Sequence, residues 1–201
     1  MVKKIDDAFN KQQYEKYLDY YLDSNTDQHV GGGTTQARLE LLKKYLPLGS
    51  HIFEIGSGGG TDASLLQEAG YKVTASDFSE KFVEVLQRKN LSAIHFDAKK
   101  DTLPDSIDAI YANAVFVHFF PEELQKFVHN AKDKLIGNKL IYFSIIEGDG
   151  SERKVSKSGF DRDFQYFTKE ALEKILSEEG YTILEVRKID KWIQVIAEVR
   201  K

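Results

Sequence analysis

"FEIGSGGGTDASLLQEAG", residues 53–70, places four glycines within the five positions 56–60, directly after a short apolar run and directly before a helical pattern. A strand that ends in glycines and passes into a helix offers unblocked backbone N–H groups and the positive end of a helix dipole, which suits an anion or a nucleotide. A P-loop is excluded, because GxxxxGKS/T needs a lysine and this turn reads GSGGGTD. Gly58, Gly60 and Ala63 do satisfy G-x-G-x-x-A, so a dinucleotide reading stays open at this point.

Outward from the turn, strands and helices alternate. HIFEI precedes a helix over about 62–69, YKVTAS precedes one over about 80–89, and SAIHF and SIDAIYAN follow. Pro121 opens a further helix to about Leu135, and Gly137 leads into the strand KLIYFSII. This alternation predicts βαβ units and a parallel sheet. Near the C-terminus YTILEVRKI and WIQVIAEVR are separated only by Asp190-Lys191, too short a link for anything but an antiparallel hairpin. Before the glycine turn, apolar spacing predicts a helix over 7–22, a Gly-rich link and a second helix over 35–46. Residues 147–167 read as a polar loop.

The acid that follows the second strand, Asp77 in "VTASDFS", lies 21 residues beyond Gly56, where it faces the ribose of a nucleotide lying across the sheet edge. Here the chain resembles the class I S-adenosylmethionine-dependent methyltransferases. "FEIGSGGG" is similar to their first motif, an acid and an apolar residue followed by G-x-G-x-G. "SDFS" resembles the ribose-binding turn, "FDA" at 96–98 the adenine-binding turn, and "ANAVFVHF" at 112–119 the segment after the fourth strand.

The resemblance implies an α/β Rossmann-like fold: a mostly parallel seven-stranded sheet with an antiparallel C-terminal hairpin, helices on both faces and an N-terminal helical cap. Residues 1–47 would form the cap and 48–201 the cofactor-binding core of one structural domain. S-adenosyl-L-methionine is the implied cofactor. Gly56, Ser57 and Gly58 would let the backbone approach it, Glu54 would anchor the turn near its ammonium group, and Asp77 would hold the ribose hydroxyls. Asp97 and Ala98 would read the adenine amino group, and Asn113 would close the pocket. Phe78 either packs on the adenine or is a core aromatic.

His118 is the candidate general base, since it follows the fourth strand and titrates near neutral pH; a loop histidine satisfied by backbone is the competing reading. Arg153, Arg162, Phe164 and Tyr166, with Tyr14 and Tyr21 from the first helix, are candidates to hold a small-molecule methyl acceptor. Two arginines could engage a carboxylate or phosphate bidentately, unless the acids flanking Arg162 simply neutralise it.

Composition narrows the function. A net charge of −4 with scattered lysine pairs gives no basic stripe, so neither DNA nor RNA is expected. The absence of cysteine removes disulfides, thiolate metal sites and a cysteine nucleophile, and His95 with Asp97 makes too small a set for a metal. No apolar stretch has signal-peptide or membrane-span length, so a cytoplasmic place of action away from membranes is expected. Two other readings stay open: a nicotinamide-dependent oxidoreductase, and a catalytically idle module that binds S-adenosylmethionine.

Overall fold

The computed structural model describes residues 5–22, 31–154 and 160–200. Seven strands form one sheet: β1 (His51–Ile55), β2 (Lys72–Asp77), β3 (Ala93–His95), β4 (Ile107–Asn113), β5 (Leu135–Ile146), β8 (Tyr181–Ile189) and β9 (Trp192–Val199). Their order is β3-β2-β1-β4-β5-β9-β8. The first five run parallel, while β9 is antiparallel to both β5 and β8. The order reverses between β1 and β4, and the crevice at the carboxyl ends of the strands beside such a reversal is where ligands bind in open α/β sheets.

β1 shows why these residues make a central strand. Phe53 and Ile55 point into one apolar cluster and Ile52 into the other, all at most 3% exposed, as the two-residue period of a strand covered on both faces requires. The first cluster joins Phe53, Ile110 and Phe143 to α6 (Pro121–Ala131) and α7 (Lys169–Glu178). The second joins Ile52 and Ile196 to α3 (Thr35–Lys43), α4 (Thr61–Glu68) and α5 (Glu80–Arg88). Each fully buried Leu, Ile or Phe contributes on the order of 1.5–3 kcal/mol.

Helix starts follow local chemistry. Thr34 and Thr168 cap α3 and α7 by accepting the N–H groups of Ala37 and Ala171, and Asp6 caps α1 (Asp7–Lys16) by accepting that of Phe9. α4 and α5 have no such side-chain cap, and at α4 the N-cap is Gly60, in the left-handed conformation, where a Cβ would press on Leu86 and Leu91.

The predicted helix over 7–22 is broken at Tyr17, whose ring packs on Phe160 at 4.7 Å; α2 (Leu18–Leu22) follows. α3 is built into the core, since Leu39, Leu41 and Leu42 pack beneath the sheet. The predicted loop over 147–167 contains a two-stranded hairpin, β6 (Ser151–Lys154) antiparallel to β7 (Arg162–Gln165). α1 lies against it: Asn10 accepts the Asp163 N–H through Oδ1 at 2.8 Å and donates to its carbonyl through Nδ2 at 3.3 Å.

Candidate active site

The glycine turn is held open by its backbone. Gly56 and Gly58 have φ of 65° and 51°, values that L side chains rarely adopt. A Cβ on Gly56 would sit 2.7 Å from Val115 Cγ2, so the lack of a side chain there lets the turn close on the segment after β4. A Cβ on Gly58 would meet no heavy atom within 4 Å, because that side of the turn faces a cavity. Ser57 braces the turn from behind: its Oγ donates to Glu54 Oε2 at 2.8 Å and accepts the Ser76 N–H at 3.2 Å.

Asp77 ends β2 beside this turn. Its Oδ2 accepts the Gly58 N–H and its Oδ1 the Ser79 N–H, both at 3.0 Å. Burial pushes its pKa up to about 6, against the opposing pull of those two N–H groups. The Phe78 N–H also acts on this carboxylate, and of its roughly four acceptor positions not all are taken, which leaves room for a ligand. Phe78 lies on the same cavity wall, edge-on to Tyr14 with centroids 6.5 Å apart.

Asp97 and Ala98, expected at an adenine site, are not among the residues that line this cavity. Asp97 caps its own turn, accepting the Lys99 N–H through Oδ1 and pairing with Lys100 through Oδ2, while Ala98 lines a separate groove with Lys99 and Leu103.

Below the turn is a buried polar network that sequence reasoning missed. Arg38 donates to Asp62 Oδ1 at 2.7 Å, and Asp62 Oδ2 accepts from Tyr111 Oη at 2.8 Å and Asn113 Nδ2 at 3.0 Å. Burial works against the Arg38 charge, but Tyr111 and Asp62 outweigh it and its pKa is raised. Asn113 thus lines the cavity with its amide already oriented, Nδ2 toward Asp62 and Oδ1 accepting from Ser144 Oγ at 2.6 Å. The one signal was Arg38 itself, a charge on the otherwise apolar face of a predicted helix. The Gly31–Gly33 link is packed: Gln194 donates to the carbonyls of Gly31 and Gly32, and a Cβ on Gly31 would collide with Asn113.

At the outer end His118 is half-buried. Its Nδ1 stands 2.7 Å from the Asp163 carbonyl and must carry the proton, so Nε2 accepts from Tyr14 Oη at 2.8 Å. Burial, aided by Arg162 and Lys99, lowers its pKa to about 4. The histidine lines the cavity, where it is neutral, engaged at both nitrogens and a weaker base than an ordinary imidazole.

Arg153 also departs from expectation. It forks onto the Asp163 carboxylate at 2.7 and 2.8 Å and stacks on Phe9, away from the cavity. Tyr166 hydrogen-bonds Glu152 and stays outside the wall. Arg162, Phe164 and Tyr14 do line it, joined by Lys154. The side chain of Tyr21 lies outside the described residues.

The cavity has a volume of about 730 Å³ and runs from Gly56–Gly58 and Asp77 to Arg162 and Phe164. This is within the range of cofactor and small-ligand sites, roughly 300–1,000 Å³. Among the described residues no cluster of three His, Asp or Glu side chains could hold a metal, and no helix is long and apolar enough to cross a membrane.

Residues 53–143 match the family model of a methyltransferase domain. The chain is 28% identical over 171 residues to a ribosomal protein L11 methyltransferase of Dictyoglomus turgidum, covering 82% of this chain and 50% of that protein. It therefore spans about half the length of this curated relative. Among solved structures it is similar to the 1,6-didemethyltoxoflavin-N1-methyltransferase of Burkholderia thailandensis, bound to 1,6-didemethyltoxoflavin and S-adenosylhomocysteine. That TM-score is 0.74 at 16% identity, over 96% of this chain and 88% of the other. It is equally similar to the CcbJ methyltransferase of Streptomyces caelestis, with a TM-score of 0.74 at 15% identity over 96% and 98% of the two chains. At such identities the likeness is one of fold.

Proposed function

We propose that the chain, whose residues 53–143 match a methyltransferase-domain model and whose fold is that of the class I S-adenosylmethionine-dependent methyltransferases, transfers a methyl group from S-adenosylmethionine to a small-molecule acceptor bound in the cavity. The observation that carries this reading is the convergence of an open glycine turn and a buried acid, Gly58 and Asp77, at the carboxyl ends of β1 and β2. The residues present fit the cofactor. Gly58 leaves room for close approach, Asp77 keeps acceptor positions for hydroxyl groups, and Glu54 and Asp77 line the same wall with negative charge suited to a cationic ligand.

When bound, the cofactor supplies an activated methyl group on a sulfonium centre. What the chain adds is placement and exclusion of water, and placement alone is worth roughly 7–11 kcal/mol of a bimolecular barrier. Asp77 would hold the ribose, the Gly56–Gly58 backbone would lie along the ligand, and Asn113, fixed by Asp62 and Ser144, would present an oriented amide. His118 would act by holding Tyr14 over the cavity, because taking a proton at its lowered pKa is costly near neutrality. Residues 1–47 would serve as the cap: α1 covers the acceptor end, while α3 is shared with the core. The place of action proposed is the cytoplasm. A net charge of −4 supports a partner other than nucleic acid.

A protein acceptor is the second reading, favoured by the similarity to a ribosomal protein methyltransferase; the placement of Tyr14 of α1 on the cavity wall favours a small molecule. Calorimetric titration with S-adenosylhomocysteine and NADH, followed by methyl transfer to a metabolite mixture and to ribosomal protein, tests the proposal. It predicts micromolar binding of the first ligand, none of the second, and turnover on the metabolites. NADH binding would overturn it, and cofactor binding without turnover on either mixture would favour an idle module.

A further inference from the structure

Trp192 is the only tryptophan of the chain and stands on the cavity wall, partly buried, at the start of β9. Register fixes its neighbours. It lies directly opposite Ile146 at the carboxyl end of β5 and opposite Ile189 at the end of β8, so the three side chains share one face of the sheet, and all three line the cavity. Two residues further along the same face Ser144 pairs with Gln194, which donates to the Gly31 and Gly32 carbonyls. The glycine link thus covers that polar pair and reaches the base of the indole, where a Cβ on Gly32 would stand 2.8 Å from Trp192 Cβ and 3.3 Å from its Cγ.

The ring itself has no partner in the protein. Tyr14 and Phe78 pack edge-on to each other, and Phe164 packs on His118 with the Lys154 ammonium over it. Among the described residues Trp192 makes no ring contact, no cation contact and no side-chain hydrogen bond. Aromatic rings gain from stacking on one another, and a buried indole N–H ordinarily finds an acceptor. Position says which ligand would supply the missing ring. β9 is three strands from β1 in the sheet order, about 14 Å at the usual strand spacing. Gly58 and Asp77 lie at the carboxyl ends of β1 and β2, on the far side of β4 and Asn113 from Trp192. An adenosyl group over that pair leaves the Trp192 end of the cavity to the acceptor. The turn beside it adds one acid and one base to the wall, Asp190 and Lys191, and so imposes no single charge on that molecule.

We infer that the methyl acceptor carries a flat aromatic ring, which stacks on the Trp192 indole beside Ile146 and Ile189. This rests on the methyl-transfer reading above and adds the class of molecule that receives the methyl group.

The test uses the full chain saturated with S-adenosylhomocysteine, titrated in a calorimeter with 2-naphthol and with decahydro-2-naphthol, two neutral alcohols of one skeleton. Burial in a merely apolar pocket favours the saturated compound, which has more apolar surface, whereas a stacking platform reverses the order. 2-Naphthol should bind about threefold to tenfold tighter, the scale of one aromatic pair, and should quench the emission of Trp192 while its saturated counterpart does not. In Trp192→Leu the preference should disappear, and Trp192→Phe, which keeps a ring, should retain part of it. Unchanged S-adenosylhomocysteine affinity shows that both variants are folded; should Trp192→Leu lose it, Trp192→Phe and the wild-type emission decide. Equal or tighter binding of decahydro-2-naphthol, no binding of either alcohol, undiminished Trp192 emission at saturating 2-naphthol, or a full preference in Trp192→Leu would overturn the inference. Failure of wild type to bind S-adenosylhomocysteine would instead overturn the methyl-transfer reading.

Discussion

Arg38 and Asp62 form an ion pair at 2.7 Å beneath the glycine turn, with side chains 1% and 9% exposed. Breaking one partner of such a pair leaves the other charged and desolvated, a loss of about 3–5 kcal/mol. Arg38→Met should therefore lower the urea midpoint sharply, whereas Arg88→Ala, which removes the exposed pair to Glu84, should change stability by less than about 1 kcal/mol. Similar midpoints for the two variants would mean that the network is not what supports the turn.

The two glycines of the turn should separate folding from binding. Alanine at either position takes on a left-handed backbone, worth roughly 1–2 kcal/mol. At Gly56 it also meets Val115 Cγ2 at 2.7 Å, adding about 1–3 kcal/mol of overpacking. Gly58→Ala has open space and should melt closer to wild type, yet lose most of its affinity for S-adenosylhomocysteine because the methyl group projects into the cavity. Calorimetric melting and titration of both variants check the pair; equal melting temperatures with equal affinities would contradict it.

Acid stability should reveal two opposed groups. His118 has a folded pKa of about 4 against an ordinary 6.5, so between these values the unfolded chain binds more protons and stability rises with pH. Asp77 has a folded pKa of about 6 against 3.8, so over nearly the same window the folded chain binds more protons and stability falls with pH. The two offset each other in wild type. His118→Asn should leave stability falling from pH 4 to 6, and Asp77→Asn should leave it rising, each by at most about 1.4 kcal/mol per pH unit. Urea midpoints measured at half-unit steps decide it; parallel curves for the two variants would refute the assignment.

The sheet was legible because its strands are short apolar runs separated by helical periods, and the closing hairpin because two residues cannot span a crossover. The meeting of the glycine turn with Asp77 was legible for a related reason: glycines and an acid at fixed spacing are set by backbone geometry. β6–β7 was not, since Ser151–Lys154 and Arg162–Gln165 carry charges on an edge hairpin and lack a strand's apolar alternation. Asp62 is an acid in the first turn of α4, and nothing in the local sequence sets it apart. Only the fold brings Arg38, Tyr111 and Asn113 around it, from positions 24, 49 and 51 residues away. Arg153 and Arg162 looked equivalent, and strand direction sends one to Asp163 and the other into the cavity.

The central claim is that an adenosyl ligand lies across Gly58 with its ribose on Asp77, and the affinity of Asp77→Ala for S-adenosylhomocysteine tests it most directly. Titration calorimetry at pH 7.5 should show a loss of about 1.5–3 kcal/mol relative to wild type, the range for hydrogen bonds to a charged group. Affinity within experimental error of wild type, in a variant whose circular dichroism is unchanged, would contradict the account.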